Sequence, residues 1–587
     1  MLPPQQLSAV ARGARPWHAH CSPYDGKMQA RLVRSNIARL ALGPWTVVRF
    51  ALAAALVLGG CQRGPAPGVT ATTATSGSSA LTIQPGGELV FAFDGAAITQ
   101  FGLDPHKSAF APHNRVFRSI FDSLVVAQPD HTVGPWLAES WSVSPDRRVY
   151  TFTLRSDVKF HDGTPFDAEA VRFNLDRIKD PRNAFTSASD IGPYDHSEVV
   201  DPRTVRVVLS IPFEPFLINL SKSSLGIVSP TAATRYGDQF PVNPVGTGPF
   251  RFISLTPGTE IRLERNADYQ WAPAGAAHTG QAYLDRLTFK NVPEEATRVA
   301  VLQSRQAQAA DIIPPQNILG FRNDPAFQLI ERELLNENYS LYLNITRPPW
   351  DDESLRQAFR LSLDLDAVVK TVYLGTFARA WSPISPSIFG YDPSLEGSWA
   401  PDPARAARLL DAAGWKLGED GLRQKDGKPL TVVFIDTQGN REKRLDVITM
   451  LRQQLRKNGI ALKIDTQPAG NYLQRVQQGE YDLTAGSLFA PDPDVLRRLF
   501  SPADRALSAV AKVNDPEINA WVTAAAREPD LDKRRTLYRN VQHKVVDKVY
   551  AIPVYVLPYT IAAVREAHGI AIDTHGFPTF QDAWLAH

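Results

Sequence analysis

Few residues in this chain have the type and spacing to do covalent chemistry. Asp351-Asp352, and Asp492 with Asp494, come nearest to the paired carboxylates that glycoside hydrolysis uses as acid and base or nucleophile. The first pair stands where a helix N-cap belongs and the second lies in a Pro-Asp-Pro-Asp loop, so both read as structural. His106 and His113 invite a metal reading, but two loop histidines serve more often as hydrogen-bonding groups than as a cage. Gly246-Thr247-Gly248 is a weak phosphate signal without a following Gly-Lys-Ser/Thr, and a tight turn is the expected role. HExxH, GxSxG and CxxC are absent. A cell-envelope hydrolase is therefore the competing class, a binding protein the expected one, and no cofactor or metal site is expected.

The elements that must position any binding site begin with Gly134 to Glu169. Tyr150, Phe152 and Leu154 alternate with Val149, Thr151, Thr153 and Arg155, the period of a half-buried strand. Asp162-Gly163 supplies a turn, and Asp167 caps a helix whose Val171, Leu175 and Ile178 share one face, with Phe166 and Val171 as a hydrophobic staple. Further strands are expected at 88–93, 201–209, 287–291, 339–345, 430–435, 460–464, 481–485 and 549–556. Helices between them start near Glu295, Glu353, Asp402 and Leu445, end before Gly414, Gly459 and Gly479, or span 534–548. Strands alternating with helices predict βαβ crossovers and partly parallel sheets.

The chain has 587 residues, with hydrophobic residues at 43% and charged ones at 21%, ordinary for a globular protein with a large core. Its formal charge of +2 hides seven Lys or Arg against one acid in residues 1–60. The remainder is mildly acidic, without the basic field that nucleic acid would call for. That basic stretch ends in an apolar run, Phe50 to Gly60, too short to span a bilayer and followed directly by Cys61. Residues 1–60 are expected to be a signal peptide, with Met28 as an alternative start that leaves Arg31, Arg34, Arg39 and Arg49 as a compact basic region. Leu58-Gly59-Gly60-Cys61 resembles a bacterial lipobox, which implies lipidation at Cys61. Cys21 lies before the cleavage point, so no disulfide is expected. The Gly, Ala, Pro, Thr and Ser composition of 61–85 reads as a flexible tether.

The wording of the scaffold, PWLAESW and then YTFTLRSDVKFHDGTPF, resembles the large extracytoplasmic solute-binding proteins of ABC importers that carry peptides, nickel and opines. Echoes follow in NPVGTGPF (243–250), RNADYQW (265–271), YLDRLTFKNVPEEATR (283–298), SLRQAFRLSLDLDAVVKTVY (354–373) and AARLLDAAGW (406–415). The resemblance implies an α/β, two-lobed periplasmic-binding-protein-like clamp with mixed sheets and a two-crossing hinge. Lobe I is expected at 86–290 plus 552–587, with an inserted subdomain, and lobe II at 291–551. The expected crossings fall near 287–292 and 552–555.

Function follows as an expectation from the same resemblance. A lipid-anchored monomer in the periplasm or cell envelope captures a small peptide-like or opine-like solute by lobe closure and delivers it to membrane permease subunits driven by a separate ATPase. Nickel or a metal-chelator complex is the alternative cargo. The resemblance places Asp104 and His106 at the ligand cleft, and carries over Phe185, Ser487, Leu488, Phe489 and Asp492 from the positions of their segments. Peptide binders of the family present an aspartate to the peptide amine a few residues before an Asp-Pro dipeptide; here that position is Phe489. Of two arginines in the nickel binders, one is matched by Arg182 and the other is replaced near Gly226.

Overall fold

A computed structural model describes residues 82–108, 110–502 and 508–586. The expected signal peptide, Cys21, Cys61 and nearly all of the tether lie outside the described residues.

The strand Val149–Leu154 forms as its alternation predicts, with Tyr150, Phe152 and Leu154 buried on one face. It pairs antiparallel with Ala138–Val143 and Thr204–Leu209, and Tyr194–Asp201 completes a four-stranded sheet. Helix Ala168–Lys179 packs on this sheet through Val171, Leu175 and Ile178, and the Asp167 side chain accepts from the Ala170 amide at 2.9 Å. Phe166 and Val171 are buried in the same core.

Two mixed sheets make the rest of the frame. The first has seven strands in the order Phe327–Glu333, Pro558–Val564, Ala309–Asp311, Glu88–Phe93, Arg286–Asn291, Glu260–Arg265 and Phe250–Thr256. Glu88–Phe93 runs parallel to both Arg286–Asn291 and Ala309–Asp311. The second sheet has five strands in the order Ala461–Gln467, Thr431–Thr437, Leu483–Gly486, Tyr339–Leu343 and Ile552–Tyr555. Its parallel part is Thr431–Thr437 between Ala461–Gln467 and Leu483–Gly486. Each sheet has its own apolar core.

Strand pairing moves both expected crossings. Helix Glu295–Gln303, whose acidic start looked like an exit from the first lobe, is instead a crossover that returns the chain to Ala309–Asp311 in the same sheet. Phe327–Glu333 then pairs along its length with Pro558–Val564. The chain changes sheets between Glu333 and Tyr339. It comes back between Tyr555 and Pro558, because Ile552–Tyr555 pairs with Tyr339–Leu343 in the second sheet. The two crossings run side by side, joined by the Leu334 amide donating to the Leu557 carbonyl at 3.2 Å.

Gly246-Thr247-Gly248 packs against the C-terminal end of helix Ala111–Ile120, with the Gly248 amide donating to the Ile120 carbonyl at 2.9 Å. A Cβ on Gly246 would lie 2.2 Å from that carbonyl oxygen. This close approach, not a phosphate, explains the glycine. Gly246→Ala is therefore expected to cost about 1–3 kcal/mol as an overpacking change. The check is a lower urea midpoint at unchanged slope, and an unaltered midpoint would refute the packing account.

Candidate functional site

In α/β folds the usual place for a ligand is the crevice beyond the carboxyl ends of the parallel strands, which here end at Phe93 and Asn291 in the first sheet and at Thr437 in the second. On the second-sheet side, strand Thr431–Thr437 leads through a turn to Arg441–Lys443 and helix Arg444–Lys457. Glu442 and Lys443 both take left-handed backbone, φ 56° and 57°, a cost that non-glycine residues bear only when their surroundings hold them. Tyr373 donates to the Glu442 carbonyl at 2.7 Å, and the Glu442 carboxylate accepts from Arg444 Nε at 3.0 Å and Nη2 at 2.8 Å. Burial works against the Glu442 anion, but Arg441 and Arg444 hold its carboxyl down at about 2. Arg444 also donates to Ser487 Oγ at 3.0 Å and lies over the Tyr339 ring at 4.8 Å.

The first-sheet wall is carried by helix Ala111–Ile120, whose Arg115 and Arg118 lie one turn apart. Arg115 pairs with buried Asp311 at 2.7 Å, and Tyr559 donates to the same carboxylate at 2.9 Å. Arg118 reaches Asp573 at 3.2 Å, Ser123 Oγ at 2.9 Å and the Ser221 carbonyl at 2.6 Å, with its guanidinium over Trp136. Next to it Lys222, buried, holds Asp190 at 2.8 Å.

The two walls touch. Arg498 crosses to Asp190 at 3.2 Å and to Ser189 Oγ at 2.7 Å, and Lys443 pairs with Glu295 at 2.8 Å. Phe489 meets His575 and Phe577 edge-on, with ring centroids 5.5 and 4.8 Å apart, and Lys222 lies 5.6 Å from its ring. Two carboxylates, Asp190 and Glu442, are thus each shared by two cations. Each of these two carboxylates carries a positive surplus, and an aromatic surface lies beside Asp190, an arrangement for holding an anionic organic molecule.

Of the residues expected at the cleft, Ser487 and Phe489 join this group. Leu488 contributes its carbonyl to the Glu337 amide at 2.8 Å and packs into a neighbouring apolar cluster. The others are held by other partners within the protein. Asp104 binds Arg177 at 2.5 Å; His106 Nε2 donates to the Gly226 carbonyl at 3.1 Å, and its Nδ1 accepts from Arg177 Nη1 at 2.6 Å. Phe185 lies against His106 and under Arg177. Asp492 is buried against Arg534 at 2.7 Å, and Asp494 is tied to Arg497, so this pair is structural. Asp352 caps its helix through the Ser354 amide at 2.7 Å. Arg182 does not reach the group: its side chain is 88% exposed and bound to Asp180 two residues away. Gly226 has no room for a side chain, since a Cβ would stand 2.6 Å from Phe121 Cβ. Among the described residues no three His, Cys, Asp or Glu are grouped to hold a metal ion.

Arg115, Arg118, Lys222, Glu442, Arg444 and Arg498 were not singled out from the sequence. One signal was there: Arg441, Lys443 and Arg444 crowd a helix N-terminus, where the dipole disfavours cations.

The family model for "Bacterial extracellular solute-binding proteins, family 5 Middle" matches residues 132–505. The chain belongs to this family. Family 5 proteins are solute-binding components of ABC importers and not enzymes, and this chain is such a component. It is 29% identical over 454 residues to the glutathione-binding protein GsiB of Pectobacterium atrosepticum, covering 76% of this chain and 84% of the relative. Against GsiB of Salmonella paratyphi A it is 30% identical, covering 71% and 82%. NikA from Brucella suis, solved with Fe(III)-EDTA, superposes with a TM-score of 0.74 at 26% identity over 85% of this chain and all of NikA. DppA from Helicobacter pylori, solved with the peptide STSA, gives 0.73 at 25% identity over 86% and 99%. The expected two-lobed α/β fold is that of these family 5 structures. Among the described residues no helix is long and apolar enough to cross a membrane.

Three buried histidines, His106, His113 and His575, and the half-buried His161 have their charged forms disfavoured. Burial pushes His106 down to about 3 and His113, His161 and His575 to about 4, against about 6.5 for an unfolded chain. Unfolding takes up protons between these values, so the stability they provide is complete above pH 6.5 and drains as pH falls toward 4. Each contributes a slope of at most about 1.4 kcal/mol per pH unit. Urea unfolding from pH 7 to 5 should show the decline, and His575→Gln should reduce its slope by about one proton. An identical slope in the variant would refute neutral burial of His575.

Proposed function

We propose that this protein is a lipid-anchored, monomeric receptor that takes a small acidic peptide-like solute, of the size and charge of glutathione, into the crevice by lobe closure. The observation that carries the reading is the positive surplus on both walls: Lys222 with Arg498 on Asp190, and Arg441 with Arg444 on Glu442. Glutathione has two carboxylates against one ammonium, which matches that surplus, and Phe489 offers an apolar face to the ligand backbone. The relatives named as glutathione-binding and the peptide-bound DppA support the same class. A carboxylate-rich metal chelator presents a similar charge and is the second reading, favoured by the same cations.

Closure accounts for the cross-lobe contacts of Arg498 and Lys443, because contacts from both lobes stabilise the shut state only when a ligand compensates their charge. The shut surface then delivers the solute to membrane permease subunits, with a separate ATPase supplying energy. At about 100 times its dissociation constant, glutathione should add roughly 2.7 kcal/mol to the folded state. Small-angle scattering should show a smaller radius of gyration. An unchanged radius at saturation removes closure, and failure of every acidic peptide tested to bind removes the solute class.

Attachment through Cys61 is proposed from the lipobox and the tether after it. Each buried CH₂ contributes about 0.8 kcal/mol, so more than one acyl chain gives stable anchoring. Cys61→Ala should move the protein from the membrane fraction to the soluble fraction. Retention at the wild-type level after signal removal would place the anchor elsewhere.

A further inference from the structure

Away from the crevice, two arginines and two tryptophans are stacked at the Ile552–Tyr555 edge of the second sheet. Residues 378–380 extend the sheet past that edge: the Val556 amide donates to the Ala378 carbonyl at 2.9 Å, the Ala380 amide to the Val554 carbonyl at 3.2 Å, and Arg379 faces Tyr555 in an antiparallel bridge. The Arg379 guanidinium lies 4.5 Å from the Trp381 ring and 5.2 Å from the Trp399 ring. Arg360, on helix Glu353–Leu361, lies 5.3 Å from Trp399. The two indoles meet at 71° with centroids 6.2 Å apart, and all four side chains are half-buried. Cation–π contacts hold such a stack together but leave its charge in place.

Other buried arginines of this chain are fully used. Arg298 donates through Nε, Nη1 and Nη2 to the carbonyls of Asp311, Val292, Pro293 and Ile312, and Arg534 is met by Asp492. In the stack, donors are left over. Arg379 gives Nη1 to the carbonyls of Ala380, Pro553 and Val554, and its buried Nε has no acceptor among the described residues. Arg360 gives Nη1 to the Val546 carbonyl at 2.7 Å and Nη2 to Gln357 Oε1 at 2.8 Å, and its buried Nε has none either. Trp399 Nε1 is the third such donor. Charge is left over as well. Asp366 and Asp547 act on Arg379 and Arg360 only through their fields, without a hydrogen bond, and Arg405 adds a like charge at Arg360. Burial pushes the Arg379 guanidinium down to about 9 and lowers Arg360 too, the mark of cations that their surroundings under-compensate. The Val546 carbonyl, in the last turn of helix Leu531–Asp547, offsets part of the Arg360 charge through the helix dipole. The acceptors of Arg379 are strand carbonyls, which carry little such field.

We propose that the stack of Arg360, Trp399, Arg379 and Trp381 is a second binding site, outside the crevice, for a phosphate group. Guanidinium and indole N–H groups can only donate, and a phosphate brings an acceptor oxygen for each unspent donor together with the missing negative charge. Arginine's planar fork suits that partner, and the indoles give an apolar wall to whatever the phosphate is attached to. Free phosphate and the headgroup of an envelope phospholipid share this chemistry. None of the crevice cations takes part, so the site stands apart from the solute reading.

The test uses the full chain carrying Cys61→Ala, so that no acyl group reaches a bilayer. Inorganic phosphate is titrated by phosphorus NMR at constant ionic strength in chloride, and cosedimentation is measured with vesicles of phosphatidylglycerol and of phosphatidylcholine. Saturable binding of free phosphate, or retention on the phosphatidylglycerol vesicles, is expected, and which of the two is seen identifies the source of the group. Arg379→Gln and Arg360→Gln should each weaken that binding by roughly tenfold, as loss of a charge-assisted contact implies. Arg360→Gln leaves the strand carbonyls held by Arg379 untouched and decides the matter if Arg379→Gln does not fold. Glutathione in excess should displace nothing. Displacement by glutathione moves the phosphate into the crevice and overturns the proposal. Binding that is unaltered in the folded variants overturns it, as does the absence of both saturable phosphate binding and a preference for phosphatidylglycerol.

Discussion

Asp190 is the point on which the two halves of the molecule depend. Its side chain is 3% exposed and accepts from Lys222 of its own lobe and from Arg498 of the other. A buried carboxylate needs one cation, because an unpaired buried charge costs several kcal/mol. Lys222 meets that need within the first lobe. Arg498 is the second cation and leaves a local positive charge at Asp190. In the proposed closure, shutting the crevice and binding an acidic solute are one electrostatic event.

Both crossings between the sheets are short and adjacent, and each sheet keeps its own apolar core. Backbone strain is stored at Glu442 and Lys443, and is held by Tyr373, Arg444 and the cross-lobe contact of Lys443 with Glu295. Strained turns that are over-determined by their surroundings keep side chains where a ligand needs them.

Local rules were legible where the fold obeys them locally. The alternation of Tyr150, Phe152 and Leu154, the cap at Asp167 and the helix ends at Gly459 and Gly479 could be read without the structure. Asp104, His106 and Asp492 are in place but serve as internal struts, because each found an arginine or a carbonyl far along the chain. Arg182 shows the opposite case: a residue in a familiar phrase that turned to solvent, bound to its neighbour Asp180.

The sequence by itself determined the class of the molecule. Its strand and helix periodicities, its turn glycines and the phrases shared with family 5 depend on near neighbours, and near neighbours are what a sequence shows. Tertiary structure alone decided the lobe boundaries and the walls of the crevice. Whether Ala309–Asp311 belongs to the first sheet depends on its pairing with Phe91 and Ala92, more than two hundred positions away. Whether Arg498 is a surface charge or a cross-lobe contact depends on Asp190, 308 positions away. Pairing energies of this kind are set by burial and geometry, which no local pattern of residues carries.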